Sequence, residues 1–574
     1  MKTVCPQGVN PSCADQHCNC YLCAWENLCL FSQSCLLNDE LILTTSFFHS
    51  HPAAALLKYL LPVFFFFSGL FIFSRHNDFG FYFHPDERGK VQQVLEKTRN
   101  FHHPLLMLTV CQRTTAVVKD LKNTKLTFQE VVEIGRWVAA VFMAGAVACL
   151  TALMLRLVSW QAAVALGVVL CFDPTLFFVA HFMKEDPAFL CALAVLFLAF
   201  SVFNRRPGLP QTLLFGAAAG LVFSSKYTGL ISWVAILPAL WLVRREAKMV
   251  VPGWGKTLLV FCAGMLGVFL LFNYQMITDF DKFRAGFGRE LTEVVVGPHG
   301  ARKTEVPHAH YIRFLMEDFP FWYWPVVGIY GWFALRSSKE LFREHLFPCV
   351  ILLALVIMLS FSPKVGDRYL LPVEVWVLFA MCGAAGFLAQ ELGKKSRLLG
   401  NGLAAALLAG VFYMQWRGNL PARGGWSETY ESFTRDSFAE LRTWIRGNIP
   451  LDAVLLQPEK RFLPDPELGF FDDKPKDFPQ KILSQSTFIK SGSLKSAREA
   501  GVTHVVVISG RVNRYDTEVR YATNKAVQDR KARSTFYNEL QSSSRLIHKV
   551  SKEWNTIMHP GFEIYELNPL PEPE

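Results

Sequence analysis

Apolar and polar stretches alternate along most of the chain, and the apolar stretches are long. Eleven of them run for about 15 to 23 residues with few charges, close to the ~20 residues that a helix needs to cross a bilayer. They cover residues 55–73, 134–156, 161–180, 187–203, 211–225, 228–243, 257–276, 320–335, 346–361, 369–389 and 398–416. The pattern predicts a polytopic α-helical membrane protein with about eleven transmembrane helices.

The charges between these stretches predict an orientation. With the N-terminus on the cytoplasmic side, most basic residues of the short loops fall inside, as the positive-inside rule requires. The inside loops hold Arg156, Arg205, Arg206, Arg244, Arg245, Lys248, Arg336, Lys339, Arg343, Lys394, Lys395 and Arg397, and the short outside loops hold Lys184, Lys226, Lys364 and Arg368. An odd number of spans then places two long loops, 74–133 and 277–319, and the C-terminus outside the cytoplasm.

The polar tail has the pattern of a small α/β domain. Phe438, Leu441 and Ile445 recur at helical spacing, and the apolar run 505–508 is typical of a buried strand. We therefore expect a Cys-rich segment at 1–54, a transmembrane domain at 55–416 and an extracytoplasmic α/β domain at 417–574.

Composition agrees with a membrane protein and argues against nucleic-acid binding. The chain is 51% hydrophobic with a mean hydropathy of +0.24. The basic inside loops account for the net charge of +10, and no arginine-rich stripe with interleaved aromatics is present. Seven of the 14 cysteines precede residue 36, with spacing that fits no strong zinc pattern. We expect residues 1–54 to be disordered or to follow from a translation start assigned too early.

The first candidate site follows the first span directly. Residues 84–88 read His-Pro-Asp-Glu-Arg. Pro followed by two acids is ordinary at a helix start, where the helix dipole favours carboxylates. The alternative is that one of the carboxylates is a general base beside the membrane, because a lipid-linked substrate presents its head group at that height.

A second group of charges lies at the outer end of the third span. Residues 181–187 read His-Phe-Met-Lys-Glu-Asp-Pro, and charges this close to hydrocarbon are costly and usually functional. Glu185 and Asp186, together with His181, are candidates for holding a divalent cation or orienting a basic group. A helix start before Pro187 would explain the same residues.

Two of the four cations in the short outside loops, where the charge rule predicts few, lie in motifs of their own. Lys226 lies in Ser-Ser-Lys-Tyr-Thr-Gly and Arg368 in Gly-Asp-Arg-Tyr; we expect them to face an anion, such as a lipid phosphate. Each cation alone could instead snorkel to headgroups. The occurrence of all these motifs on one side favours a shared site. The long loop 277–319 is a candidate lid carrying His308 and His310, although a polar loop surface is the simpler explanation.

Together these motifs resemble those of glycosyltransferase family 39, which includes the dolichyl-phosphate-mannose protein mannosyltransferases. The resemblance rests on the Asp-Glu pair at 86–87, His-Pro-Leu at 103–105, Lys-Glu-Asp-Pro at 184–187, Ser-Lys-Tyr-Thr-Gly at 225–229 and Arg-Tyr-Leu-Leu-Pro at 368–372. It covers about residues 55 to 420. It implies the GT-C membrane fold, which lipid A aminoarabinose transferases and many bacterial relatives share.

By position, the resemblance implies a role for each candidate residue. Asp86 would be the catalytic base with Glu87 as its acidic neighbour, and Lys226 and Arg368 would contact the donor phosphate. The residues that would orient the acceptor or hold a metal are His181, Lys184, Glu185 and Asp186. Since Glu185-Asp186 is not a clean Asp-x-Asp motif, the requirement for a divalent cation stays open, and no other cofactor is implied.

The implied reaction moves a sugar from a polyprenyl-phosphate donor to an acceptor hydroxyl on the extracytoplasmic face, with inversion. The acceptor is left open between protein, lipid and polysaccharide, and the expected location is a bacterial inner membrane. Three other functions remain as alternatives. A transporter would put ionisable residues near mid-span and show two related halves. A non-catalytic scaffold would keep its biological activity in the variant Asp86→Asn. An oligosaccharide transferase with a pyrophosphate-linked donor usually carries a larger external domain.

Overall fold

The computed structural model describes residues 52–80, 84–246, 253–296, 301–303, 307–363, 366–417, 425–434, 437–457, 480–483, 487–490, 493–509, 519–521, 524–550 and 561–568. Its contacts divide the chain into two units, residues 1–60 and 61–574. Of the first unit, the structure describes only the beginning of helix α1. Residues 1–51, which make up nearly all of the Cys-rich segment, lie outside the described residues.

The described part of the membrane region is helical. Its helices are α1 (Pro52–Phe73), α2 (Pro85–Glu96), α3 (Leu106–Lys122), α4 (Phe128–Leu157), α5 (Trp160–Cys171), α6 (Pro174–Ala180), α7 (Glu185–Arg205), α8 (Leu209–Ser225), α9 (Trp233–Glu246), α10 (Trp254–Asn273), α11 (Gln275–Thr278), α12 (Phe280–Val296), α13 (Pro307–Asp318), α14 (Tyr323–Arg336), α15 (Lys339–Phe361), α16 (Leu371–Gly393) and α17 (Arg397–Arg417). Two 3-10 turns, Tyr227–Ser232 and Asp367–Leu370, lead into α9 and α16.

Each of the eleven apolar stretches overlaps a helix, but the helices differ in length. Among the described residues, seven are long and apolar enough to cross a membrane: α4, α7, α9 and α16 with their 3-10 turns, α10, α15 and α17. Helices α5 and α6 make an eighth span if they count as one, since they are bent by 56°. The bend falls where Asp173 caps α6 and Pro174 begins it. The remaining stretches lie in the shorter helices α8 and α14 and in α1, of which the apolar part is Lys58–Phe73.

The long helices expose large apolar side chains. Leu259, Trp241 and Leu353 are each half or more exposed. A soluble protein rarely leaves so much apolar surface in contact with water, whereas lipid accommodates it. The chain is therefore an integral membrane protein.

Helices α8 and α10 are in direct backbone contact. A Cβ atom added at Gly216 would lie 2.1 Å from the carbonyl oxygen of Phe261, and one at Gly220 would lie 2.3 Å from that of Met265. On the facing helix, a Cβ at Gly264 would lie 2.3 Å from the carbonyl oxygen of Leu213. Small residues spaced by four allow this close approach, which replaces hydrophobic burial as the source of helix association inside a bilayer.

The two segments expected to be long loops are largely helical. The first contains α2 and α3, and the second contains α12 and α13. These helices are amphipathic: in α2, Val91 and Val94 lie in a buried cluster, whereas Arg88 and Gln92 are exposed. An even mixture of polar and apolar residues has no long apolar run, so the hydropathy pattern predicted loops where the structure has helices.

After the membrane helices, the chain forms a five-stranded sheet. Its strand order is β3 (Lys481–Leu483), β2 (Val454–Leu456), β4 (His504–Ile508), β7 (Phe562–Leu567) and β6 (Ser544–Val550). Strand β2 pairs in parallel with β3 and β4, and β7 pairs antiparallel with β4 and β6. The helices of this part of the chain are α18 (Trp426–Ser432), α19 (Ser437–Asn448), α20 (Thr487–Lys490), α21 (Lys495–Glu499) and α22 (Asn524–Ser543). A separate antiparallel pair joins β1 (Ala301–Lys303) to β5 (Val519–Tyr521).

The central strand β4 is buried on both faces. Val505 and Val507 lie in one buried cluster with Phe536 of α22, and Val506 lies in another with Leu441 of α19. This double burial explains the continuous apolar run that predicted the strand. The mostly helical architecture with a small C-terminal α/β portion agrees with the fold class expected from the sequence. The domain boundary at residue 417 stays a prediction.

Candidate functional site

Glu87 anchors the segment that follows the first helix. Its side chain is fully buried and accepts two hydrogen bonds from Arg136 of α4, at 3.1 Å each. It also accepts from the backbone nitrogens of His84, at 2.8 Å, and Met183, at 3.0 Å. Four donors therefore hold one carboxylate, and the segment 84–87 is fixed to both α4 and the loop before α7.

Asp86 lies beside this anchor and remains accessible. Its side chain is 46% exposed, and Oδ2 lies 3.1 Å from Nζ of Lys184. His84 caps α2, because its Nδ1 accepts from the backbone nitrogen of Asp86 at 3.1 Å. Burial acts to raise the pKa of Asp86, but electrostatic interactions with His84, Lys90 and Arg368 outweigh it and lower that pKa. Asp86 is therefore ionised at neutral pH.

Glu185 and Lys90 form a buried ion pair next to Asp86. The Lys90 ammonium lies 2.7 Å from Oε2 of Glu185 and donates to the carbonyl oxygen of Met183 at 2.9 Å. Nε2 of His103 lies 3.9 Å from the same Glu185 oxygen. The pair thus joins α2 to the beginning of α7, with the imidazole of His103 at its edge.

Asp186 and Lys226 form a second buried ion pair, which joins the beginning of α7 to the end of α8. Nζ of Lys226, at the end of α8, lies 2.6 Å from Oδ1 of Asp186 and 5.1 Å from the centre of the Tyr369 ring. The guanidinium of Arg368 lies 5.5 Å from the centre of the same Tyr369 ring, and Arg368 is exposed. Tyr369 therefore lies next to both cations.

We call these seven residues the charged cluster: Lys90, Asp86, Lys184, Glu185, Asp186, Lys226 and Arg368. Three of its cations each have a carboxylate partner within 3.1 Å. Arg368 has no carboxylate partner among the described residues, although its charge acts on Asp86. The structure therefore brings Asp86, at the start of α2, Lys226, at the end of α8, and Arg368, in the turn before α16, into one cluster.

The cluster has a buried layer and an accessible layer. Lys90, Lys184, Glu185 and Asp186 are all less than 10% exposed. Asp86 and Arg368 are open, and the His103 side chain is 30% exposed. A molecule that approaches the cluster therefore meets a carboxylate, a guanidinium and an imidazole, while the ion pairs beneath hold them in place.

His181 lies away from the accessible layer. It is fully buried, and its ring lies 4.1 Å from both the Phe177 and Phe433 rings. Its Nδ1 and Nε2 lie within 2.6 Å and 2.5 Å of the carbonyl oxygens of Phe177 and Arg75. These contacts give His181 a packing role between the loop before α7 and the segment after the last span.

His308 and His310 lie on helix α13 rather than in an irregular loop. His308 is exposed, and the His310 ring is in contact with that of Tyr311 at 5.3 Å. Neither histidine has a described contact with the charged cluster. Their role in a lid stays a prediction.

The acidic residues do not fit a divalent cation. Glu185 and Asp186 are each matched to a lysine at 2.7 and 2.6 Å. No group of three His, Cys, Asp or Glu side chains suited to a metal ion occurs in the part of the chain that the structure describes. A cation bound between these two acids would meet two ammonium groups at once.

Sequence reasoning missed several residues that hold the site. Arg136 lies near the start of a predicted span, where an arginine is expected to point to the headgroups. Lys90 is an ordinary position on a polar helix, and its partner lies 95 residues away. Asn273 is fully buried and joins the backbone of Leu105 to Ser224, at 2.8 Å each. In the sequence, an Asn inside the apolar stretch 257–276 was the signal that could have identified Asn273.

Comparison with known proteins gave matches among solved structures alone. No family model matches the sequence, and no curated protein sequence matches it. The chain is similar to ArnT from Cupriavidus metallidurans bound to undecaprenyl phosphate, with 15% identity and a TM-score of 0.47 over 88% of this chain and 97% of that one.

Two further structures show weaker similarity. The archaeal oligosaccharyltransferase AglB from Archaeoglobus fulgidus has 12% identity and a TM-score of 0.40 over 88% of this chain and 70% of that one. The S. cerevisiae protein O-mannosyltransferase complex Pmt1-Pmt2 has 17% identity and a TM-score of 0.33 over 39% and 34%. All these TM-scores lie below 0.5, so the structures assign no role to any residue of this chain.

Proposed function

We propose that the protein is a membrane glycosyltransferase that moves a sugar from a polyprenyl-phosphate donor to an acceptor hydroxyl. The observation that carries the proposal is the accessible pair of Asp86 and Arg368 beside two buried ion pairs, Lys90–Glu185 and Lys226–Asp186. Displacement of a lipid phosphate needs a base for the incoming hydroxyl and a cation for the outgoing anion. The accessible layer supplies one of each.

Asp86 is the general base in this reaction. Its carboxylate takes the proton of the acceptor hydroxyl while the oxygen attacks the anomeric carbon. The bond between that carbon and the phosphate oxygen breaks, and its electron pair leaves with the lipid phosphate. A single displacement inverts the configuration at the anomeric carbon. The leaving phosphate is already a stable anion, so no general acid is required.

Arg368 binds the donor phosphate and stabilises the charge that develops on it. A guanidinium offers a planar pair of donors that matches phosphate oxygens. Lys226 adds a second positive charge next to the Tyr369 ring, where its ion pair with Asp186 holds the ammonium in place. Glu87 and Lys184 are positioning residues, because one fixes the backbone of the base and the other lies against its carboxylate.

The position of the cluster supports this function over transport. Glu185 begins α7, Lys226 ends α8 and Arg368 precedes α16. All three are ends of apolar helices, where we expect the lipid head groups to lie. A transporter would concentrate such charges near the middle of its spans. We further propose that this face is extracytoplasmic in a bacterial inner membrane, as the charges of the loops indicate.

The test compares cells that lack the protein with cells that produce the wild type, Asp86→Asn or Asp120→Asn. Asp120 is an exposed acid on α3 with no described partner, so it is the matched control. Mass spectrometry of glycans, lipids and proteins should show a glycosylated product with the wild type and Asp120→Asn. We expect Asp86→Asn to lower it at least about 100-fold, since loss of a general base typically costs that much. Identical profiles in all four strains would exclude the enzyme.

A further inference from the structure

The segment that carries His103 is held in place from several directions. The backbone nitrogen of Leu105 donates to Asn273 at 2.8 Å, and the Tyr227 hydroxyl donates to the carbonyl oxygen of Phe101 at 3.0 Å. The nitrogen of Asn100 donates to the Gln93 side chain at 3.0 Å. Three elements, α2, α10 and the turn after α8, therefore fix this short loop.

The same loop contains a backbone conformation that is unfavourable for its residue. Phe101 has a φ of 53° and is fully buried. A bulky side chain in the left-handed region is uncommon and persists where the surrounding contacts over-determine it. On the other side, Gly286 of α12 approaches so closely that a Cβ there would lie 2.3 Å from the carbonyl oxygen of Asn100. The fold thus maintains the position of His103 at a cost.

The imidazole of His103 is the uncharged polar group of the accessible layer. Burial lowers the pKa of His103, and the charge of Glu185 opposes this only in part, so the ring is neutral at pH 7. Among the described residues, its nitrogens make no hydrogen bond; the nearest partner is Glu185, at 3.9 Å. A neutral imidazole with free nitrogens can both donate and accept.

We propose that His103 hydrogen-bonds a hydroxyl of the transferred sugar, and that this sugar carries no charge of its own. The inference rests on the proposed function, in which Asp86 serves the acceptor and Arg368 serves the phosphate. The remaining accessible group is His103, and a hydroxyl is the natural partner of a neutral imidazole. The buried acids are already matched to lysines, so an amino sugar would find no unpaired carboxylate there.

The test measures binding of lipid ligands to the purified full-length protein in nanodiscs. The probes are decaprenyl phosphate and the same lipid carrying mannose, glucose, galactose or 4-amino-4-deoxyarabinose. With the wild type, at least one neutral sugar should strengthen binding over the bare phosphate, and the amino sugar should not. His103→Phe keeps a ring but removes both nitrogens; it should weaken binding of the preferred glycolipid about tenfold and change bare-phosphate binding less than about twofold.

Two variants separate recognition from structure. His103→Gln retains a donor and an acceptor and should recover most of the lost affinity. His102→Phe changes the neighbouring half-buried histidine, which has no described contact with the cluster, and should leave all affinities unchanged. Equal losses of bare and glycosylated lipid in His103→Phe, or wild-type preference for the amino sugar, would overturn the inference while leaving the proposed function intact. If bare decaprenyl phosphate did not bind the wild type at all, the proposed function itself would fail.

Discussion

Asp86 and Glu87 are neighbours in the sequence, yet their surroundings differ completely. Glu87 is fully buried and accepts hydrogen bonds from Arg136 and two backbone nitrogens, whereas nearly half of the Asp86 side chain is exposed. Removing one partner of a buried pair such as Glu87–Arg136 typically costs about 3–5 kcal/mol, because the other charge is left unmatched. We therefore expect Glu87 to act on folding and on the position of the proposed base, whereas Asp86 remains accessible to a substrate.

His84 gives the site a measurable dependence on pH. Burial lowers its pKa from the usual 6.5 to about 4, and Nδ1 accepts a hydrogen bond only while it is unprotonated. Because the folded pKa lies below the unfolded one, the contribution of neutral His84 is complete above pH 6.5. It is lost as the pH falls toward 4, at up to about 1.4 kcal/mol per pH unit.

The variant His84→Asn isolates this effect, since Asn also caps helices but does not titrate. We expect the melting temperature of the wild type to fall more steeply than that of His84→Asn between pH 6.5 and 4. Thermal unfolding in detergent at five or six pH values provides the comparison. Parallel curves for the two proteins would contradict the assigned role of His84.

At the scale of elements, the charged cluster depends on where helices begin and end. Lys226 lies at the end of α8, and α8 is held against α10 by backbone contact at three glycines. Asn273 at the end of α10 then binds both Ser224 and the backbone of Leu105. The packing of one helix pair therefore positions Lys226 and the loop of His103 together.

Substitution of these glycines should separate the two helices. Gly220→Ala places a methyl group 2.3 Å from a carbonyl oxygen, and overpacking of this kind costs about 1–3 kcal/mol. Gly267→Ala, on the facing helix α10, meets no atom within 4 Å and serves as the control. We expect Gly220→Ala to lower both the melting temperature and the amount of glycosylated product. A Gly220→Ala protein as stable as Gly267→Ala would show that the contact is dispensable.

At the scale of the whole molecule, the sequence predicted most of the membrane helices and the central strand of the sheet. Long apolar runs are local signals, so α4, α7, α10 and α15 could be found from hydropathy alone. The amphipathic helices α2, α3, α12 and α13 could not, because hydropathy averaged along the chain cancels their polar and apolar faces.

The residues of the site were predictable to a different extent. Asp86, Lys226 and Arg368 were identified because charges beside long apolar stretches are conspicuous. Which acid pairs with which lysine was not predictable, since Lys90 and Glu185 are far apart in the sequence and nothing local distinguishes Lys90 from any surface lysine. The structure also shows that Lys226 is already matched to Asp186, which leaves Arg368 as the accessible cation.

The orientation of the chain is also open to measurement. The basic loops predict that residues 394–397 are cytoplasmic and that the C-terminal sheet lies on the other side. Alkaline phosphatase is active only outside the cytoplasm, so a fusion after Lys395 should be inactive and one after Asn568 should be active. Equal expression of the two fusions by immunoblot is the control. The reverse pattern of activity would move the charged cluster to the cytoplasmic face.

The glycine contact between α8 and α10 also restricts the path of a long hydrocarbon tail. Where the two backbones touch, no gap remains that an isoprene unit could enter. A polyprenyl chain whose phosphate lies at Arg368 must therefore descend into the bilayer along another pair of helices. The contact between α8 and α10 that brings Lys226 into position thus closes one side of the protein to the lipid tail of the proposed donor.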